Sequence, residues 1–472
     1  MTADPVTGWR KPGRLVVAVV GAGPSGIYAA EALTQASGVE VEVAVIDRLP
    51  VPFGLVRYGV APDHPSIRSI RTTLERTLEK PGVHFFGDVM IGRDLTVDEL
   101  RGAVDAVVYA WGAGTSRSLG VVGEDATGSL SAADFVAWYC GHPDAHPDAP
   151  GSRIDHDQPA RLLAEVTSAV VVGAGNVALD VVRILIKDAD DLATTDMADG
   201  VLAAMRSKKI TDVHLLARRG PGLTQMTTKE LREVGTIEGC DVILYPDDLD
   251  WQAESLTEIS KVAQRNLVEF SQWANGSRRL GAGKRVHLHF WTRPTMINTR
   301  NGRVTGVEFE DSRPGVVQQG SVQAQLVVRA IGYKGVELPG VPFDADTGRV
   351  PHVDGRVLAE PDGVSFQTGE YVTGWIKRGP TGVIGTNKSD AVETVNSLLH
   401  DLEGGDLTSR HHSLADLTTL LSARGITPLD LHAWHRIDAA EIDRGHAHGR
   451  DRATLAHRSE LLAAAGPLGS QP

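Results

Sequence analysis

Cysteine is nearly absent: Cys140 and Cys240, a hundred positions apart, are the only two in 472 residues. They cannot build a disulfide framework, a CxxC redox pair or a cysteine-ligated iron–sulfur cluster. No run is long and apolar enough to span a membrane, so no membrane insertion is expected. The stretch Met1–Arg14 is polar and lacks the apolar core of a secretory signal. A reducing, cytoplasmic location is the expectation. Positive charge is also in short supply: 47 Lys and Arg face 60 Asp and Glu, a formal net charge of −13. Nucleic acid is thereby excluded as a global partner, and an acidic protein partner would need a local basic face. The apolar share of 42% supports substantial cores, and the length suits two or three domains.

What is present is a pair of dinucleotide-binding fingerprints with opposite endings. Gly21-Ala22-Gly23-Pro24-Ser25-Gly26 follows the apolar run Val16–Val20, and the next strand, Val41–Ile46, ends in Asp47. Gly173-Ala174-Gly175-Asn176-Val177-Ala178 follows Ala169–Val172, and its later strand, Val213–Leu216, leads to Arg218-Arg219. In each, the first glycine permits the tight turn, the second lets backbone approach a pyrophosphate, and the third small residue lets helix and strand pack closely. The pyrophosphate then sits on the free amides at the helix N-terminus. An acid after the second strand accepts hydrogen bonds from a ribose hydroxyl, whereas arginines there accommodate a 2′-phosphate. One chain thus carries a site for a plain adenine dinucleotide and a site for a phosphorylated one, which points to electron relay between two cofactors.

Strand and helix alternate along the chain, so the fold class is α/β with parallel, doubly wound sheets. Between Pro50 and Pro65 lies a loop whose prolines and glycines forbid continuous helix. Helices are expected over Ile27–Ala36, Ser66–Leu78, Val177–Ile186 and Asp390–Leu402, and strands at Val83–Phe86, Val104–Ala110 and Leu326–Gly332. The segment His142–Pro159 reads as a loop, and Asp188–Lys209 as a helical insertion in the second nucleotide unit.

Six segments in this order and spacing carry a family resemblance: the Gly21 fingerprint, the Val51–Pro65 loop, the Gly173 fingerprint, Arg218-Arg219-Gly220-Pro221, Lys229-Glu230-Leu231-Arg232-Glu233, and Gly374-Trp375-Ile376-Lys377-Arg378-Gly379-Pro380-Thr381-Gly382. Together they resemble adrenodoxin reductase and the bacterial ferredoxin–NADP reductases of that type, from Val16 to Gly466 and including the tail around Trp434. The resemblance implies two Rossmann-like dinucleotide-binding domains, with the NADP domain inserted into a split FAD domain. The expected division is an extension at 1–14, FAD-binding parts at 15–115 and 337–472, and an NADP-binding domain at 116–336. It implies non-covalent FAD at Ser25, Asp47, Leu55, Ile91, Trp375, Gly382, Val383 and Ile384, and NADPH or NADP+ at Asn176, Val177, Arg218, Arg219 and Glu230. Leu223-Thr224-Gln225-Met226 departs from the family pattern near the nicotinamide.

The implied activity is hydride transfer from NADPH to FAD, then transfer of single electrons to an iron–sulfur ferredoxin serving cytochrome P450 or another acceptor. A flavin bridges a two-electron donor and a one-electron acceptor, so no metal or activated nucleophile is required. His64 and Glu233 match polar groups that the family places near the flavin, where they would serve proton traffic; His64 as a brace of its loop is the other reading. Arg232 matches a ferredoxin-docking position, which Lys261 or Arg265 would extend; Arg206 to Lys209 and Arg278-Arg279 are further basic candidates, and each also reads as solvated surface. The tail histidines His411, His412, His432, His435, His446, His448 and His457 lack convergent ligand spacing and read as surface. Among rivals, a disulfide reductase needs a redox cysteine pair, and a glutamate synthase small subunit needs a cysteine-rich N-terminal region. A flavin monooxygenase needs a substrate cavity. A non-catalytic NADPH-binding sensor is separated from the enzyme by turnover. The Arg218-Arg219 ending predicts a strong preference for NADPH over NADH that the double alanine variant loses; equal use of both donors by the native protein in steady-state assays contradicts the assignment.

Overall fold

Six consecutive aliphatic residues, Leu15–Val20, bury both faces of one strand, as expected where helices cover both sides of a parallel sheet. This strand pairs in parallel with Val41–Ile46 on one side, Val19 facing Val45, and with Ala106–Tyr109 on the other, Val19 facing Val108. In the computed structural model, residues 14–145, 157–244, 249, 259–274, 281, 283–313 and 315–467 are described. Most of the N-terminal extension, the centre of the His142–Pro159 loop and Arg278-Arg279 lie outside them.

The first sheet has seven strands among the described residues. Their order is His352–Val353, Arg356–Leu358, Phe366–Val372, Ala106–Tyr109, Leu15–Val20, Val41–Ile46 and Val83–Phe86. The second has six, in the order Ser129–Ser131, Leu326–Arg329, Ser168–Val172, Asp212–Leu216, Lys284–His289 and Cys240–Leu244. The second sheet is therefore built from chain lying between the two portions that build the first. A short antiparallel ladder, Thr115–Ser116 with Tyr333–Lys334, carries the chain out and back. This is the doubly wound, inserted architecture expected.

Three details differ from expectation. The Ser66–Leu78 helix is two helices, Pro65–Arg68 and Ile70–Leu78, meeting where the Ser69 hydroxyl donates back to the Ser66 carbonyl at 2.8 Å. The Asp390–Leu402 helix starts a turn earlier, at Thr386. An antiparallel meander, Thr292–Arg300, Arg303–Asp311 and Gln319–Gln323, packs Ile297, Val304, Val307 and Val322 onto Val170, Val172 and Val327 of the second sheet. Beyond the nucleotide units, the helix Leu431–His446 closes the back of the first. Its Trp434 meets Phe53 edge-on at 5.4 Å, and its fully buried Glu441 takes both terminal nitrogens of Arg57.

On two adjacent inner strands of the second sheet, His214 and His287 stack at 4.3 Å, and His214 Nδ1 lies 3.1 Å from His289 Nε2. Burial and the neighbouring imidazoles push His214 down to about 4 and His289 down to about 3. Unfolded histidines titrate near 6.5, so between those values and about 6.5 the unfolded chain binds more protons than the folded one. The contribution of these two histidines is therefore fully present above about pH 6.5 and is lost as pH falls through their folded-state values. A Tm–pH series should show this slope reduced in His289→Leu; an unchanged slope contradicts the account.

Candidate active site

The first glycine turn is assembled by backbone contact. Gly21 sits at φ +112°, and a Cβ on Gly26 would stand 1.9 Å from the Gly21 carbonyl oxygen, so helix Pro24–Thr34 meets its strand at a distance that only glycine allows. No side chain caps that helix, and nothing lies within 4 Å of where a Gly23 Cβ would be. Asp47 is fixed beside the turn: its carboxylate accepts from the amides of Ala22 at 2.7 Å and Leu49 at 2.9 Å. The far end of the chain reaches the same place. Ser25 Oγ donates to Asn387 Oδ1 at 3.0 Å, and a Cβ on Gly374 would collide with Ser25 Oγ. Gly54 packs on Gly23, and Phe53, at φ +84°, anchors its amide on the Ala22 carbonyl at 2.8 Å. Leu55 and Ile384 are half-buried, Ile91 is buried, and Gly382 and Val383 are exposed. The bare helix end, the open space at Gly23 and the carboxylate beside it fit an adenine dinucleotide such as FAD.

The second turn repeats the construction. Gly173 sits at φ +141°, helix Asn176–Ile186 has no side-chain cap, and no atom stands within 4 Å of a Gly175 Cβ. Asn176 Oδ1 accepts from the Thr227 amide at 2.8 Å, and the Gln225 amide donates to Ala174 O at 3.0 Å, so the departing Leu223–Met226 segment forms one wall. Arg218 and Arg219 are exposed at the end of Asp212–Leu216, and neither guanidinium has a carboxylate partner among the described residues. Two free cations at that place fit a 2′-phosphate. Val177 of this turn and Trp375 of the other pack on one small apolar group, Ala113, Ala133 and Tyr333. The two cradles therefore share a wall.

Between them lies a buried charge cluster. His64, 4% exposed, has Nε2 at 3.0 Å from Glu230, 3.3 Å from Glu233 and 3.5 Å from Asp180. Arg183 touches the same ring nitrogen and pairs with Asp63, Asp180 and Glu230. Burial pulls the His64 ring down, but hydrogen bonds to Asp180 and Glu230 outweigh burial and the nearby guanidinium, leaving it at about 9. The imidazolium is thus the neutral-pH form. His64, Asp180 and Glu230 could by distance hold a metal ion, but a guanidinium against the same atoms fills that role with an ion pair. Glu230 belongs to this cluster, 6% exposed, and Glu233 forms its outward end. Sequence reasoning missed Asp63, Asp180 and Arg183. The signal was present: Asn176, Asp180, Arg183 and Lys187 recur at helical spacing, one polar stripe among Val, Ile and Leu.

A cavity of about 620 Å³ opens beside Glu233, lined by Thr228, Lys229, Arg232, Thr236 and Arg265. Arg232 pairs with Glu269 at 2.6 Å. Among the other basic candidates, Lys208 turns inward and caps helix Asn176–Ile186, donating to Ile184 O at 3.0 Å and Lys187 O at 2.6 Å. Burial raises the thiols of Cys140 and Cys240, to about 12 and about 11; neither is a thiolate at neutral pH. Among the described residues, no helix is long and apolar enough to cross a membrane.

A family model described as pyridine nucleotide-disulphide oxidoreductase matches residues 15–243. The chain is 41% identical over 469 residues to the NADPH-ferredoxin reductase FprA of Mycobacterium tuberculosis, covering 94% of this chain and 98% of that protein. It is 37% identical over 473 residues to the mitochondrial NADPH:adrenodoxin oxidoreductase of Arabidopsis thaliana, covering 96% and 95%. The structure of Mycobacterium tuberculosis FprA in complex with NADPH superposes with a TM-score of 0.86 at 38% identity, over 96% of this chain and 99% of that one. With two opposed nucleotide cradles and likeness over nearly the whole length, the chain belongs to the family of NADPH-ferredoxin and NADPH:adrenodoxin reductases.

Proposed function

We propose that the chain is an FAD-containing NADPH:ferredoxin oxidoreductase. The observation that carries this reading is the shared wall: Val177 of the phosphorylated-nucleotide turn and Trp375 of the flavin-side turn lie in one apolar cluster. Two nucleotides entering from those turns meet in a water-poor contact, as hydride transfer requires. FAD, when bound, takes up a hydride and gives up its electrons singly. The chain's own part is to bind, orient and exclude water. Gly23, Ser25 and Asp47 receive FAD; Gly175, Asn176 and Val177 receive the NADPH pyrophosphate; Arg218 and Arg219 select its 2′-phosphate. His64 holds a proton beside the flavin and exchanges it through Glu233, which borders the open cavity. Residues 15–115 with 337–472 form the FAD-binding domain and 116–336 the NADP-binding domain. The setting is cytoplasmic.

Lys229, Arg232 and Arg265 make a local basic face on a chain of net charge −13. An acidic ferredoxin docks there and carries electrons onward to cytochrome P450 or another acceptor. Such steering weakens with salt, because the Debye length is about 10 Å at 0.1 M and about 3 Å at 1 M. NADPH-driven reduction of an acidic iron–sulfur ferredoxin, followed by its visible absorbance, should slow by about tenfold or more across that range. Arg265→Glu should lower the low-salt rate and flatten the dependence. A native rate indifferent to salt contradicts this docking face, and no ferredoxin reduction at any salt contradicts the function.

A further inference from the structure

Arg183 is the hub of the buried cluster, and nothing in the reading above uses it. Its side chain is 1% exposed. Nε and Nη2 grip both oxygens of Asp63 at 3.0 and 3.1 Å, Nη1 reaches Glu230 at 3.0 Å, and Nη2 reaches Asp180 at 2.8 Å. Asp63 immediately precedes His64 in the proline loop of the flavin-side unit. Arg183 lies on helix Asn176–Ile186, which begins at the NADP pyrophosphate turn. One guanidinium thus ties the His64 loop to the helix whose first turn receives NADPH.

We propose that Arg183 is a positioning residue for flavin reduction, holding the His64 loop against the NADP-binding helix so that the imidazole stays within hydrogen-bond reach of Glu230 and Asp180. The proposal rests on the reading that His64 serves proton traffic. Only a planar, five-donor fork can serve Asp63 at two points while two other N–H groups reach Glu230 and Asp180. Lys187 makes a single contact with Asp63, at 2.8 Å, and cannot do the same. Charge supports the arrangement. The groups facing His64 are Asp63 beside it, Asp180, Arg183 and Lys187 from one helix, and Glu230 and Glu233 from another, with Lys229 beyond Glu233 at 3.9 Å. Four carboxylates thus meet two fixed cations, and a protonated His64 brings the balance to within one charge. Without Arg183 the carboxylate excess grows, so the ring is held protonated more strongly while its loop is released.

The test is a double-mutant cycle on the FAD-loaded protein, combining Arg183→Gln and His64→Gln. Rapid-mixing measurements of flavin reduction by NADPH across pH give the rate constant and the NADPH Kd, and NMR titration of the His64 ring gives its protonation. Arg183→Gln should slow reduction by about tenfold or more, leave the NADPH Kd within about twofold, and raise the apparent pKa of the His64 ring by about one unit. In the His64→Gln background, the same substitution should cost less than about twofold. An equal loss in both backgrounds, an unmoved His64 titration, or a change confined to NADPH Kd overturns the proposal. If Arg183→Gln does not fold, Asp63→Asn, which breaks the two-point grip without touching the ring, is read on the same cycle by the same rate and Kd criteria, with the His64 titration now expected to fall because a carboxylate is lost. A native rate and pH profile in His64→Gln alone overturns the underlying His64 reading, and the proposal with it. Additivity alongside a clear His64→Gln effect overturns the role of Arg183 alone.

Discussion

Two helices, Pro24–Thr34 and Asn176–Ile186, begin on glycine with no side chain to satisfy their first amides. That shared omission is the constraint around which the rest is arranged. Uncapped amides at a helix N-terminus carry partial positive charge and seek an anion. Any side chain placed to cap them would occupy the volume that a pyrophosphate needs. Each turn therefore gives up local helix stability, and the surrounding sheet must supply it. Both parent strands are aliphatic and almost wholly buried between parallel neighbours, which holds the turns rigid without help from the ligand.

The flavin-side turn needs further support, because Phe53 and Gly54 beneath it both adopt positive φ. Such a loop persists only where its surroundings over-determine it. Trp434 packs against Phe53, and Arg57, four residues further on, is held by Glu441. A buried ion pair of this kind is weak evidence for net stability but fixes geometry, since leaving either partner alone is costly. The helix Leu431–His446 thus acts as the back wall of a site built more than three hundred residues earlier. Across the cleft, polar and apolar contacts divide the work of joining the two units. The Val177–Trp375 cluster joins the two cradles through apolar packing, and the Arg183 cluster joins them through buried ion pairs.

What the sequence made legible was whatever lies within one strand–turn–helix unit. Both strand–glycine turn–helix units, and the places of Asp47 and Arg218-Arg219 after their strands, could be read because turn, helix and following strand are adjacent in the chain. The inserted order of the two units was readable only through the family resemblance, since composition does not say which strands share a sheet. The single Ser66–Leu78 helix was misread because nothing in its local pattern marks the break at Ser69. The Arg57–Glu441 pair spans 384 positions, beyond any local pattern. Asp180 and Arg183 stood in plain view on a helical stripe. Their meaning depends on a loop more than a hundred residues away arriving at that face, which no periodicity reports. Lys208 read as basic surface and instead caps a helix, because burial of a lysine stem depends on the tertiary neighbours of its element.

The central claim is that the two cradles hold cofactors close enough for hydride to pass between them. The most direct test is the visible spectrum of the purified, FAD-loaded protein as NADPH is added without oxygen. The account predicts bleaching of the flavin band in step with NADPH, at a rate far above that of free FAD. A flavin that binds but keeps its colour under excess NADPH would contradict it.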